Sequence, residues 1–177
     1  MKKTLTITVF FIAFLIIYFL QANFFSWYNI AGIKPNLFII LTLFIGLYLG
    51  KIKGFTLGII FGLLIDFFIG KRIGLNAIML GFAGLIGGIL DASFSKESRI
   101  TFMTMTMIIT ILCETITYTL QIILIKSEPA FSEFMKIVLI EAIYNAILAI
   151  ILYPLIQKAG EITEDIFTEK KSLMKYY

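Results

Sequence analysis

Residues 53–74 read KGFTLGIIFGLLIDFFIGKRIG. Glycine returns at every fourth place as Gly54, Gly58 and Gly62. Asp66 takes the next place in the register, followed by Gly70 and Gly74. Gly46 and Gly50 extend the same spacing backwards. Positions four apart on a helix share a face and drift by about 40° per step. The stretch therefore predicts a helix over 54–69 with a slowly winding stripe of bare backbone that ends in a carboxylate. Phe, Ile and Leu fill most of the surrounding positions. In water each glycine costs such a helix roughly 1 kcal/mol against alanine. In lipid the same stripe lets a neighbouring backbone come close. The neighbour is either another helix of this chain or a helix of a partner.

Working outward, the composition sets the environment. The chain has 177 residues, 60% of them hydrophobic and 15% charged, with 18 phenylalanines. A soluble domain is typically about half apolar and a quarter charged. A small domain keeps too much surface to hide this excess. An all-α integral membrane protein follows. The length fits one compact bundle. Cys113 is the single cysteine, which excludes an internal disulfide, and there is no histidine. A net charge of +4, scattered along the chain, does not suggest a nucleic-acid partner.

Six apolar segments predict a six-transmembrane-helix bundle: 5–20, 35–50, 54–69, 75–90, 100–125 and 134–156. The membrane domain spans 1–157, and 158–177 forms a short charged tail. The first segment is long and lacks a clear A-x-A site, so it reads as a retained helix rather than a signal peptide. Trp27 and Tyr28 suit an interfacial belt. Pro35 stands at a first helical position, where a missing N–H costs nothing. Lys51-Ile52-Lys53 reads as a short basic turn. Segments 35–50 and 54–69 are short against the roughly 20 residues of a usual span. Residues 101–107 (TFMTMTM) alternate like a strand, but an open strand cannot satisfy its backbone in lipid. With both termini in the cytoplasm, ten Lys and Arg lie inside and five outside, which favours that orientation.

Three acids fall within apolar segments, and such acids usually face a bundle interior. Asp66 lies at nearly the level of Lys34, Lys71 and Arg72. A structural ion pair is expected there, with a partner contact or a substrate or proton site as the other readings. Glu114 shares a helix face with Thr110, Thr117, Tyr118 and Gln121. Glu141 shares one with Tyr144 and Asn145. Helices 100–125 and 134–156 are expected to meet through this polar cluster, with Asn145 level with Glu114, and Tyr118 or Gln121 near Glu141. The contact is either hydrogen-bonded packing or a small-ligand pocket or proton path. There is no nucleophile elbow, no P-loop and no His-based metal site. A serine hydrolase also needs a base, which histidine is not present to supply. No catalytic residue, metal site or cofactor is expected.

Several of these residues together carry a resemblance. Lys34-Pro35-Asn36-Leu37 opens a helix, and a short basic turn precedes Gly54. The G-x-x-x-G-x-x-x-G-x-x-x-D-x-x-x-G-x-x-x-G run follows, and Asn145 is succeeded by Tyr153-Pro154 near the last span's end. This pattern resembles the rod shape-determining MreD family over nearly the whole chain, most specifically over 35–74. The resemblance implies a non-enzymatic scaffold or adaptor of the bacterial cell-elongation machinery, supporting peptidoglycan synthesis. It implies as partners a bitopic MreC-type protein, a RodA-type polymerase with its transpeptidase, and the MreB filament. It implies a fold similar to the substrate-binding subunits of energy-coupling-factor transporters. It singles out Pro35, Asn36, Gly58, Gly62, Asp66 and Gly74, to which Gly54 belongs by register, for packing or partner contact. The alternative is a substrate-binding subunit of a vitamin-type transporter, with a pocket lined by Glu114, Glu141 and Asn145. Such subunits carry A-x-x-x-A in the first helix, whereas here Ile17 stands four residues after Ala13. A membrane enzyme acting on lipid is a third class, for which only the three acids speak.

Overall fold

A computed structural model describes residues 2–69, 74–90, 98–126 and 130–173. The described residues form α1 (Lys2–Ala22), α2 (Phe24–Trp27), α3 (Leu37–Leu49), α4 (Lys51–Ile69), α5 (Leu75–Leu90), α6 (Arg99–Ile125) and α7 (Phe131–Leu173). No strand occurs among them; the strand-like alternation of 101–107 lies inside α6. Four helical stretches are long and apolar enough to cross a membrane: Thr6–Trp27, Lys51–Ile69, Arg99–Leu124 and Phe131–Thr163. The long helices run alternately up and down. Both ends of the described chain therefore lie at one end of the bundle, the termini end. The 23–36 connection, the end of α4 with the start of α5, and the end of α6 with the start of α7 lie at the far end.

Three expectations need correction. Lys51-Ile52-Lys53 is the first turn of α4 and not a loop. Gly50 reverses the chain alone at φ +86°, a conformation that glycine adopts without strain. With that turn included, α4 has 19 residues, and the short apolar helices are α3 (13) and α5 (16). At 1.5 Å per residue, α3 is only about 20 Å long. Finally, α7 does not stop near 156 but continues to Leu173 through Pro154. The proline removes one ladder hydrogen bond, and the helix carries on beyond it.

The short α3 is the centre. Every residue from Leu37 to Leu47 is buried. A helix that is apolar all round must be wrapped on all sides. Phe14 of α1 covers one side, with ring centroids 5.2 Å from Phe38 and 4.9 Å from Phe61 of α4. α5 covers another, and α4, α7 and α6 the rest.

The most extensive contact joins α4 to α5, and it is made by backbone. A Cβ placed on Gly58 would lie 2.9 Å from the Cα of Gly81. One on Gly54 would strike the carbonyl of Gly84, and one on Gly62 the backbone of Asn76 and Ala77. α5 answers with small residues of its own: Gly84 lies against Gly54, and Gly88 against Gly50 and Lys51. Gly46 of α3 enters the same junction against Gly84 and Gly88. Three helices thus meet with no side chain between them. The opposite face of α4 carries Ile60, Leu63 and Phe67, all exposed and suited to lipid.

Gly62→Leu should force α4 off α5, an overpacking cost of at least about 1–3 kcal/mol. The expected result is loss of folded protein from the membrane or a lower unfolding temperature in detergent, read by fluorescence-detected size exclusion after heating. Leu63→Ala, one residue along on the lipid face, should leave both unchanged.

Candidate functional site

The polar residues of the apolar helices gather toward the far end. Asp66 lies near the C-terminus of α4 and is 2% exposed. Gly74, at φ +105°, turns the chain into α5. This geometry presents the first amides of α5 to the carboxylate. Asp66 accepts from the Gly74 N–H (2.7 Å), the Asn76 N–H (3.3 Å), the Asn76 Nδ2 (2.7 Å) and the Ala77 N–H (3.4 Å). The first amides of a helix have no partners in their own helix, and the helix dipole favours an anion there. Asp66 therefore caps the next helix. Of the cations expected beside it, Lys34 donates to the Ser26 hydroxyl instead (2.7 Å). Lys71 and Arg72, and with them Gly70, lie outside the described residues.

Pro35 and Asn36 lead into α3 and are held from two sides. Gln21, at the end of α1, donates its side-chain amide to the Pro35 carbonyl (3.2 Å). The Asn36 N–H donates to the Oδ1 of Asn145 on α7 (2.7 Å). Asn145 is fully buried, and its Nδ2 donates to the Thr110 hydroxyl of α6 (3.0 Å). One asparagine thus joins α3, α6 and α7. Its two amide ends match a backbone donor and a hydroxyl acceptor, which satisfies both in an apolar interior.

One turn further along, Glu114 faces Glu141 closely enough for their carboxyl groups to interact directly. A turn beyond that, the Tyr118 ring stacks on Phe134 at 4.3 Å. The polar cluster of α6 and α7 therefore assembles, but its register differs from the expected one. Asn145 is level with Thr110 rather than Glu114, and Glu141 with Glu114 rather than Tyr118 or Gln121. Counting from loop ends misplaced the pairs because α7 begins at Phe131, before the expected start.

A half-open cavity of about 310 Å³ lies at the far end, between α1, α4, α5 and the segment before α3. Tyr18, Gln21, Lys34, Asn36, Asn76 and Met79 are among its lining residues. Two of its side-chain oxygens, Gln21 Oε1 and Asn36 Oδ1, are buried without a hydrogen-bond partner. Both are acceptors, so the cavity is suited to a group that donates N–H or O–H. Glu114, Glu141 and Asn145 are not among its lining residues. Sequence reasoning named Asn36 but missed Gln21 and Asn76. The available signal was an amide at each end of the loops that flank the glycine stripe. Among the described residues, no group of three or more His, Cys, Asp or Glu is placed to hold a metal ion.

The family model described as rod shape-determining protein MreD matches residues 1–159. The chain belongs to that family, a shape-determining membrane protein family and not a known enzyme family. No curated protein and no solved structure matches it. Family membership and the four long apolar helices together make this a multi-pass membrane protein.

Asp66→Ala leaves buried amides at the start of α5 unpaired, at a cost of about 1–3 kcal/mol. Asp66→Asn keeps an acceptor oxygen and should lose less. Unfolding temperatures of both variants in detergent check the order. Asn145→Leu removes the acceptor of the Asn36 N–H. Amide hydrogen exchange over 35–41 should then rise, while exchange within the α4–α5 contact stays slow.

Proposed function

We propose that this member of the MreD family acts as a non-enzymatic adaptor of the cell-elongation machinery and engages a membrane partner at the far-end cavity. The observation that carries this reading is the pair of unsatisfied acceptors, Gln21 Oε1 and Asn36 Oδ1, in a half-open space beside Lys34. A buried acceptor left unpaired costs about 1–3 kcal/mol, and a donor from outside recovers it. An extended peptide segment offers such donors in its backbone N–H groups. The juxtamembrane segment of a bitopic MreC-type protein supplies one at this level of the membrane. Pro35, Asn36, Asp66 and Gly74 then serve the contact by shaping the cavity wall, and the glycine stripe serves it by holding α4 and α5 in place.

In this reading all six long helices belong to the membrane, with α3 and α5 short and shielded by their neighbours. The termini end faces the cytoplasm. Ten basic residues on that side against five on the other favour the orientation. Lys51 and Lys53 then meet anionic headgroups or the MreB filament, at about 1 kcal/mol per basic residue. A RodA-type polymerase and its transpeptidase are engaged through the bitopic partner at the far side.

The cavity also keeps a second reading. Its volume falls at the low end of small-molecule sites, which run from about 300 Å³ upward. A vitamin-type transporter subunit would use it for a ligand. The polar pair Glu114–Glu141 lies outside it, so the ligand pocket first expected around those residues is not favoured.

Affinity capture from the native membrane, followed by mass spectrometry, separates the readings. Wild-type protein should bring down the MreC-type partner and wall enzymes. Asn36→Leu with Gln21→Leu should accumulate in the membrane yet lose that partner by about tenfold or more, the equivalent of one lost hydrogen-bonded contact of roughly 1.4 kcal/mol. Capture of an ATP-driven transport module instead would make the chain a transporter subunit.

A further inference from the structure

The acid pair between α6 and α7 takes no part in that function. Glu141 is 7% exposed, and its Oε1 is buried without a hydrogen-bond partner. Its neighbour across the helix interface is a second acid, Glu114: each lies four residues from the hydrogen-bonded pair of Asn145 and Thr110, which sets the two level on antiparallel helices. Thr117, one turn from Glu114 on α6, has a buried hydroxyl oxygen that is likewise unpartnered. Toward the termini end, Asn145 is already committed to Asn36 and Thr110. A buried carboxyl group, a half-buried one and, one turn along, an idle hydroxyl thus lie where an apolar span offers oxygen and no counter-charge.

The surrounding charges do not supply one. Cys113 of α6 lies close to both acids, and its thiol donates to the Met79 carbonyl (3.7 Å). Tyr118 stacks on Phe134, and the Tyr144 hydroxyl donates to the Tyr28 carbonyl. Lys136 of α7 is exposed and five residues from Glu141, about 7–8 Å along the axis. α5 contains no titratable residue. α3 contains only Tyr48, which is at the termini end. Arg99, the single cation of α6, is fifteen residues from Glu114, about 22 Å along the axis. Two like charges in contact within a bilayer are strongly disfavoured. One positive particle between the acids relieves their repulsion and occupies the idle oxygens.

We propose that Glu114 and Glu141 form a buried site for a small monovalent cation, either a proton or sodium. Thr117 adds a third oxygen. Thr117, Tyr118 and Gln121 continue the same face of α6 toward the far end and provide the polar route to it. Occupation ties α6 to α7; vacancy leaves two carboxylates that push the helices apart. The site is thereby a cation-dependent clasp, independent of the partner reading above.

The test uses the full-length protein in nanodiscs and dicyclohexylcarbodiimide, which modifies protonated carboxyl groups in apolar surroundings. Peptide mass spectrometry locates the adduct. One adduct per chain is expected, on Glu114 or Glu141. Its rate of formation should fall about tenfold per pH unit once the proton begins to leave. If sodium chloride slows labelling at constant pH and choline chloride does not, sodium is the occupant. If pH alone acts, the occupant is a proton. The E114Q/E141Q variant should fold, and its unfolding temperature should lose the pH or sodium dependence of the wild type. Labelling of neither acid, or labelling of both at a rate indifferent to pH and sodium, would overturn the proposal. So would a wild-type unfolding temperature no more sensitive to pH and sodium than that of the variant.

Discussion

The structure depends on the absence of side chains along one line. α4 and α5 touch backbone to backbone, and no Cβ fits at Gly54, Gly58 or Gly62. In water the hydrophobic effect would hold two such helices together. In lipid it does not act between them, and close van der Waals contact has to serve. Gly46 brings α3 into the same junction. Because three backbones come so close, the geometry there leaves little freedom for what lies at either end. The capping of α5 by Asp66 is one result. Only a helix held tightly against its successor presents a carboxylate to that successor's first amides.

A second junction, built from hydrogen bonds, fixes the other side of α3. Gln21 reaches Pro35 from α1, and Asn145 reaches Asn36 from α7. The central helix is therefore anchored at its start by side-chain amides and along its length by packing. Polar groups inside a membrane are expensive unless paired, and those at this junction are nearly all paired. The exceptions lie side by side in the far-end cavity, on Gln21 and Asn36. They give the cavity a definite chemistry: it holds two acceptors that await a donor.

Much of this was legible in the residues. The fourfold glycine register announced a close helix contact, and Asp66 in that register announced that a charge lies against it. What α4 packs against was harder to read. Gly81, Gly84, Gly87 and Gly88 follow a mixed three- and four-residue spacing, which is less conspicuous than a strict one. The register of the acids was misjudged by a turn, because helix starts are set by local capping and not by where hydropathy rises. For Asp66 the residues suggested an ion pair or a partner contact, because cations are near it in sequence, and gave no sign that it caps α5. Backbone amides leave no trace in a residue list, so a carboxylate that caps a neighbouring helix looks identical to one that needs a lysine. The cavity could not be read at all, since it is formed by elements far apart in the chain.

The length of α7 has a mechanical consequence. At 43 residues the helix extends about 65 Å, roughly twice the thickness of a bilayer's hydrocarbon core. Its first half carries Glu141 and Asn145, and packing holds it on through Tyr153 and Gly160, where Tyr48 lies against it, to Thr163. A rod gripped that far along passes any rotation of its first half on to its last turns. A tilt of a few degrees over its whole length displaces the last turn by several ångströms. Pro154 lies inside the gripped stretch, at the one place where the ladder lacks a rung, so it sets where such a lever bends.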